Sequence, residues 1–176
     1  MLRLFNFMEA RERLGTVITK TKIIHSDVFS CESGNEVYLK PENLQRTGSF
    51  KLRGAYNKMT KLSDEEKSKG VVASSAGNHA QGVAYAAQKL GIKAVIVMPR
   101  HTPLIKVEAT KKYGAEVVLY GEVYDDAYKK ACELQEKEGY VFVHPFDDED
   151  VIEGQGSIAL EILEEIPDAD IILVPV

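Results

Sequence analysis

One lysine stands where a lysine is out of place. Arg46-Thr47-Gly48-Ser49-Phe50-Lys51-Leu52-Arg53-Gly54-Ala55 follows a short strand-like run, Glu36 to Lys40, that Pro41 stops. Ser49 reads as the N-cap of a helix running to about Lys61. Lys51 then falls in the first turn, at the positive end of the helix dipole, where a cation is disfavoured. The ordinary reading of such a residue is a solvated lysine. Here hydroxyl-bearing and glycine residues crowd one side, and Leu52, Gly54 and Ala55 the other. An amine held there and partly desolvated loses basicity and can serve as nucleophile or base.

A second group of polar residues is Ser74-Ser75-Ala76-Gly77-Asn78-His79-Ala80-Gln81-Gly82, after a strand-like run and opening a helix. Its hydroxyls, its amide and the unpaired N–H groups of a helix start suit an anion such as a carboxylate. The alternative is a capped helix in which Ser75 or Asn78 satisfies those donors. The spacing is not GxGxxG, so a dinucleotide fingerprint is absent. For His79 two readings stand, a general base or a packed, hydrogen-bonded histidine. No carboxylate partner is identifiable, which favours the second. His25, His101 and His144 share no ligand spacing, and no metal is assigned. The third group, His144-Pro145-Phe146-Asp147-Asp148 with Gly154-Gln155-Gly156 behind it, follows another strand-like run. Its acids could bind a cation, but they read first as a helix-capping cluster.

The elements that must carry these groups alternate. Val71–Ser74, Ala94–Met98, Glu116–Tyr120, Tyr140–Val143 and Ile171–Val174 are short, apolar and β-branched, bounded by Gly or Pro. Such runs predict strands buried on both faces of a parallel sheet. Helices are predicted over Asn6–Leu14, Asn78–Leu90, Pro103–Tyr113, Val123–Glu138 and Val151–Ile166. The strand-like runs start about 22 to 25 residues apart until a longer last step, the length of a βαβ unit. The expected class is therefore α/β, with parallel sheets flanked by helices. The chain stops at the carboxyl end of the last run, Ile171 to Val176, and reads as cut rather than finished, because ligand loops follow such ends.

Composition limits the function classes. The chain has 176 residues, 44% hydrophobic and 28% charged, in the range of globular domains. Its 27 acidic against 22 basic residues leave a net charge of −5, which argues against nucleic-acid binding. No apolar run is long enough to span a membrane. The first residues lack a signal-peptide core. Cys31 and Cys132 lie far apart and match no CxxC or zinc spacing, so a reduced, cytoplasmic setting is expected.

Taken together, Val37 to Ala55, Ser74 to Gly82, and His144 to Asp148 with Gly154-Gln155-Gly156, Glu161 and Ile162 closely resemble, in order and spacing, the serine/threonine dehydratase family of pyridoxal-phosphate enzymes. The resemblance covers essentially the whole chain. It implies the type II pyridoxal-phosphate fold, related to the tryptophan synthase β chain, with pyridoxal 5'-phosphate between two α/β domains. Residues 1–53 would begin the large cofactor domain, 54–150 form the small mobile domain and 151–176 return to the large one. By the same resemblance Lys51 binds the cofactor aldehyde covalently, Phe50 packs beside the ring, and Asn78 hydrogen-bonds the ring's 3′-oxygen. Ser75, Ala76, Gly77, Asn78 and His79 would hold the carboxylate of a small amino-acid substrate. The implied reaction is dehydration and deamination of threonine to 2-oxobutanoate and ammonia, with serine as a side substrate, in a homo-oligomer (dimer or tetramer). Family members continue past a segment like Ile172–Val176 with a phosphate-binding glycine loop. The sequence therefore reads as an N-terminal half, expected to bind cofactor weakly and to be inactive or weakly active alone. A serine racemase-like enzyme is the competing reading within the fold. There a serine at the position of Ala76 supplies the second acid/base. Outside enzymes, the alternative is an inactive fragment or interaction module.

Overall fold

Runs of Val, Ile and Ala too short for helices form the central sheet, and the longer amphipathic stretches between them cover it. In the computed structural model, which describes residues 1–174, the order is α1 (Leu4–Leu14), β1 (Ile24–His25), α2 (Asp27–Ser33), β2 (Tyr38–Leu39), a 3-10 turn at Glu42–Leu44, α3 (Lys51–Thr60), α4 (Asp64–Lys69), β3 (Val71–Ser74), α5 (Asn78–Leu90), β4 (Ala94–Met98), α6 (Leu104–Lys111), β5 (Glu116–Leu119), α7 (Tyr124–Glu138), β6 (Val141–Phe142) and α8 (Glu149–Glu165). Strands β5-β4-β3-β6 lie side by side in that order, all parallel. Val71 pairs with Ala94 on one side and Val141 on the other.

The central strands β3 and β4 are buried throughout, as a sheet covered on both faces requires. Alternate residues go to opposite faces. Val71, Ala73, Ile96 and Met98 pack with Leu52, Ala55 and Met59 of α3 and Val83, Ala84 and Ala87 of α5. Val72, Val95 and Val97 meet Ala127 and Ala131 of α7 on the other face. Helix α8 packs on α3 and α1, so α3 is held between α5 and α8.

The strand order contains one reversal. From β3 the chain moves outward to β4 and β5, then returns to the other side of β3 as β6. The carboxyl ends of β3 and β6 therefore flank a topological switch point, the usual place for a ligand in an open α/β sheet. The loop Ser75–Gly77 leaves one of these ends and Val143–Asp148 the other.

Three expectations are corrected. Ile171–Val174 form no strand: no strand lies beside them among the described residues, so their backbone groups have no ladder to join. Ile171 and Leu173 stand 78% and 90% exposed, and residues 175 and 176 lie outside the described residues. The strand predicted at Glu36–Lys40 shrinks to Tyr38–Leu39, paired antiparallel with β1 and exposed. Ser49 is not the N-cap of α3. Phe50 holds that position with helical backbone angles, and no side chain caps the helix. Helices α2 and α4 were not anticipated. No described helix is long and apolar enough to cross a membrane.

Candidate active site

Helix α3 begins at Lys51, and two neighbours grip its first turn through glycines. A Cβ on Gly82 of α5 would come 3.0 Å from the carbonyl carbon of Lys51 and 3.0 Å from the nitrogen of Leu52. One on Gly154 of α8 would strike the Arg53 carbonyl and lie 2.7 Å from Cα of Gly54. Only hydrogen at these positions lets the three backbones approach so closely. Gln155 adds a direct bond, its Oε1 accepting from Gly54 N at 3.1 Å.

Arg53, fully buried, ties this turn to the rest of the molecule. Its Nε and Nη2 donate to Glu42 at 2.9 Å each. Nη1 donates to Glu161 at 2.6 Å and Ser157 at 3.1 Å, and Nη2 to the second Glu161 oxygen at 3.1 Å. Every guanidinium N–H has an acceptor. Lys40 reaches Glu161 at 2.6 Å and balances the second carboxylate. Burial works against both charged forms. The Glu42 and Glu161 hydrogen bonds nevertheless hold the guanidinium pKa above its ordinary value, and Arg53 and Lys40 hold the Glu161 carboxyl below its own.

The Lys51 ammonium lies half-buried. It donates to the Pro145 carbonyl at 2.7 Å and sits 5.3 Å from the centroid of the Phe50 ring. Burial lowers its pKa, because the charged form loses hydration. This is the poorly solvated amine that the sequence motif implied.

Across the switch point, Ser75 N donates to the Val97 carbonyl at 3.1 Å, and its Oγ accepts from Gly77 N at 3.2 Å. Gly77 occupies the N-cap of α5 without a side-chain bond, so neither Ser75 nor Asn78 caps this helix. The N–H groups at its start remain free to meet an anion. Asn78 is exposed, and Ala76 is half-buried against the core. His79 turns inward, 3% exposed, with Nε2 2.9 Å from the Val143 carbonyl. Desolvation takes its pKa down to about 4.

The acids after His144 serve the architecture. Asp148 caps α8 through Asp150 N and Val151 N, at 2.9 and 3.2 Å, and pairs with Lys58 at 2.9 Å. His144 accepts from Asp147 N at 2.7 Å through Nδ1. The roles of Arg53, Gln155 and the Pro145 carbonyl were not read from the sequence. Arg53 and Gln155 were visible in the motifs, but the Ser157 and Glu161 partners of the one and the Gly54 partner of the other lie 104, 108 and 101 residues away, and a backbone acceptor leaves no trace in residue type.

Among the described residues, the buried polar atoms without partners are Thr47 Oγ1 and Ser49 Oγ shortly before this lysine in sequence, Ser74 Oγ at the end of β3, His79 Nδ1, Gln155 Nε2 and, in the loop after β4, Thr102 Oγ1. Buried polar groups are normally paired, so a polar molecule is the simplest thing to satisfy such a set. An amine of lowered basicity, an aromatic ring beside it and an open helix start fit a cofactor with an aldehyde and several acceptor oxygens.

A half-buried amine stands at the switch point of a parallel sheet, and residues 14–176 match the model of the family described as "Pyridoxal-phosphate dependent enzyme". The chain belongs to that family. It is 56% identical over 176 residues to an L-threonine ammonia-lyase of Thermotoga maritima, covering all of this chain and 44% of that protein. The processed form of threonine deaminase isoform 2 from Solanum lycopersicum superposes with a TM-score of 0.89 at 46% identity, over 94% of this chain and 46% of that one. Maize serine racemase gives 0.91 at 38% identity, over 95% of this chain and 51% of its own. The chain thus spans about half the length of these relatives.

Proposed function

We propose that this chain carries the lysine-bearing part of an enzyme that deaminates L-threonine to 2-oxobutanoate and ammonia, the water lost in the elimination being taken back on hydrolysis, with serine as a secondary substrate. The observation that carries the reading is the half-buried Lys51 amine at the head of α3, its basicity lowered by burial. The similarity to threonine ammonia-lyase and threonine deaminase supports the substrate. Pyridoxal phosphate, when bound, supplies an aldehyde for covalent attachment and a ring that spreads negative charge from the substrate Cα. Phe50 offers that ring an apolar wall, and Asn78 an amide for its oxygen. The free N–H groups of Asn78 and His79, with Ser75 and the Gly77 N–H now bonded to its hydroxyl, would orient the substrate carboxylate. Once displaced by the substrate amine, Lys51 Nζ would take the Cα proton. A poorly solvated amine suits that task, because more of it is unprotonated at neutral pH. The β-hydroxyl would then leave with a proton as water, and hydrolysis of the released enamine would return one water and free ammonia, leaving 2-oxobutanoate.

A division at residues 1–53, 54–150 and 151–176 goes with this reading. In its support, the parallel sheet lies wholly within the middle segment. The racemase-like alternative has the maize enzyme's fold behind it, but Ala76 offers no hydroxyl to move a proton on the opposite substrate face. The test is chemical. Incubation with pyridoxal phosphate and borohydride reduction should label Lys51, identified by peptide mass. Lys51→Ala should lose both the label and absorbance above 400 nm. Label retained elsewhere, with Lys51 untouched, would sink the assignment.

A further inference from the structure

We propose that His79 is a positioning residue: through its bond to the Val143 carbonyl it holds the segment Val143–Pro145 in place, so that the Pro145 carbonyl seats the free amine of Lys51. This rests on the functional reading only in taking Lys51 as the reacting amine.

Two bonds reach this short segment, one from α5 and one from α3. His79 Nε2 meets Val143 O at 2.9 Å, and Lys51 Nζ meets Pro145 O at 2.7 Å. The segment needs such ties. It follows β6, which pairs with β3 over two residue pairs, and beyond Val143 it is loop. Pro145 has no N–H with which to join a ladder. Val143 N donates to the Val72 carbonyl at 2.9 Å, the last sheet bond on this strand. Between that bond and the start of α8, His79 is the side chain that holds the backbone from the sheet side.

The geometry decides the tautomer. A carbonyl oxygen only accepts, so Nε2 carries the proton and donates. In the neutral ring Nδ1 is then a bare acceptor, and it is buried without a partner. A second proton there would meet no acceptor. The titratable groups acting on the ring are Lys51 from α3 and His144 from the loop, and both oppose added positive charge. The ring therefore stays neutral and keeps its one bond. The ring of a histidine in this state donates to the loop, and only the backbone N–H of His79 is left to face the substrate. What it contributes is the place of the amine, which must lie within bonding reach of the proton it takes.

The test reads the bond and the amine without the cofactor. Ring nitrogen shifts of His79, measured by NMR on the unaltered chain, should show the Nε2–H tautomer with no titration above pH 5. An Nδ1–H tautomer, or titration near the ordinary histidine range, overturns the proposal. The pH dependence of Lys51 labelling by trinitrobenzenesulfonate, followed by peptide mass, reports its pKa. In a folded His79→Leu variant the labelling midpoint should fall by roughly one pH unit, the size of one lost bond to a charged group. Amide exchange at residues 144, 146 and 147 should quicken. His79→Gln, whose amide can still donate to Val143, should restore both. An unmoved or raised midpoint in folded His79→Leu overturns the proposal. If that variant does not fold, the tautomer measurement decides. Failure of the functional reading looks different: Lys51 would then resist pyridoxal phosphate while its labelling still followed His79.

Discussion

Lys51 and His79 face the same switch point, and burial lowers the basicity of both. For His79 the effect is large enough to read in stability. Its pKa falls from 6.5 to about 4 on folding. Between those values the unfolded chain takes up a proton that the folded chain refuses, so stability falls as pH falls. Urea unfolding should therefore show a loss of about 2 kcal/mol between pH 7 and pH 5 that His79→Gln removes. An equal loss in the variant would place its origin elsewhere. Glu161 follows the opposite pattern of charge, its carboxylate held ionised, and its contribution disappears only as pH drops below the ordinary carboxylate range. Ala76 bears on reaction outcome. Ala76→Ser adds a hydroxyl to the loop and should raise serine racemisation relative to elimination, by less than about 10²-fold. Chiral analysis of recovered serine measures it. Rapid racemisation before the substitution would contradict the role given to Ala76.

Helix α3 is placed by packing more than by its ends. It lacks a side-chain cap, yet it is gripped through Gly82 on one side and Gly154 on the other. Alanine at either position gains up to about 1 kcal/mol of helix propensity. The added Cβ meets backbone rather than the end of a flexible side chain, so α5 or α8 must move away from Lys51. Overpacking of this kind costs about 1–3 kcal/mol, and the net effect should be destabilising. Gly82→Ala should lower the urea midpoint and also change the labelling rate of Lys51. A midpoint that rises would show that the helices part freely, and that the close approach is incidental. By contrast α4, remote from the site, has the cap that α3 lacks: Ser63 accepts from Glu66 N at 3.2 Å, and Glu66 accepts from Ser63 N at 2.8 Å.

At the scale of the molecule, the Arg53 cluster joins three stretches of chain. Glu42 comes from the N-terminal segment, Arg53 from α3, and Ser157 with Glu161 from α8. Two cations and two carboxylates balance inside it. Arg53→Met leaves one buried carboxylate in excess and should cost about 3–5 kcal/mol. Arg53→Met with Glu42→Gln restores neutrality and should recover part of that loss. Urea unfolding of both variants and of Glu42→Gln alone completes the cycle, and strict additivity would refute the coupling.

The alternation of β-branched runs and amphipathic stretches was enough to place all the strands of the parallel sheet and most of the helices. That follows because burial on both faces admits only apolar residues over four or five positions. The same local logic located Lys51 and the Ser75–His79 loop. It missed α4, although Ser63 and Glu66 spell a capping box, and it assigned Ser49 a cap that Phe50's backbone had already displaced. It also expected a strand at Ile171–Val174, where apolar residues have no neighbouring strand among the described residues. What no local pattern carries is the partner. Arg53 with Glu161, Gln155 with Gly54, His79 with Val143 and Lys51 with Pro145 are all contacts between distant stretches. They exist because β6 returns to the far side of β3 and brings α8 against α3. A strand run specifies that it will be buried. Which strand lies beside it, and hence which loop meets which lysine, is settled only when the whole sheet is assembled.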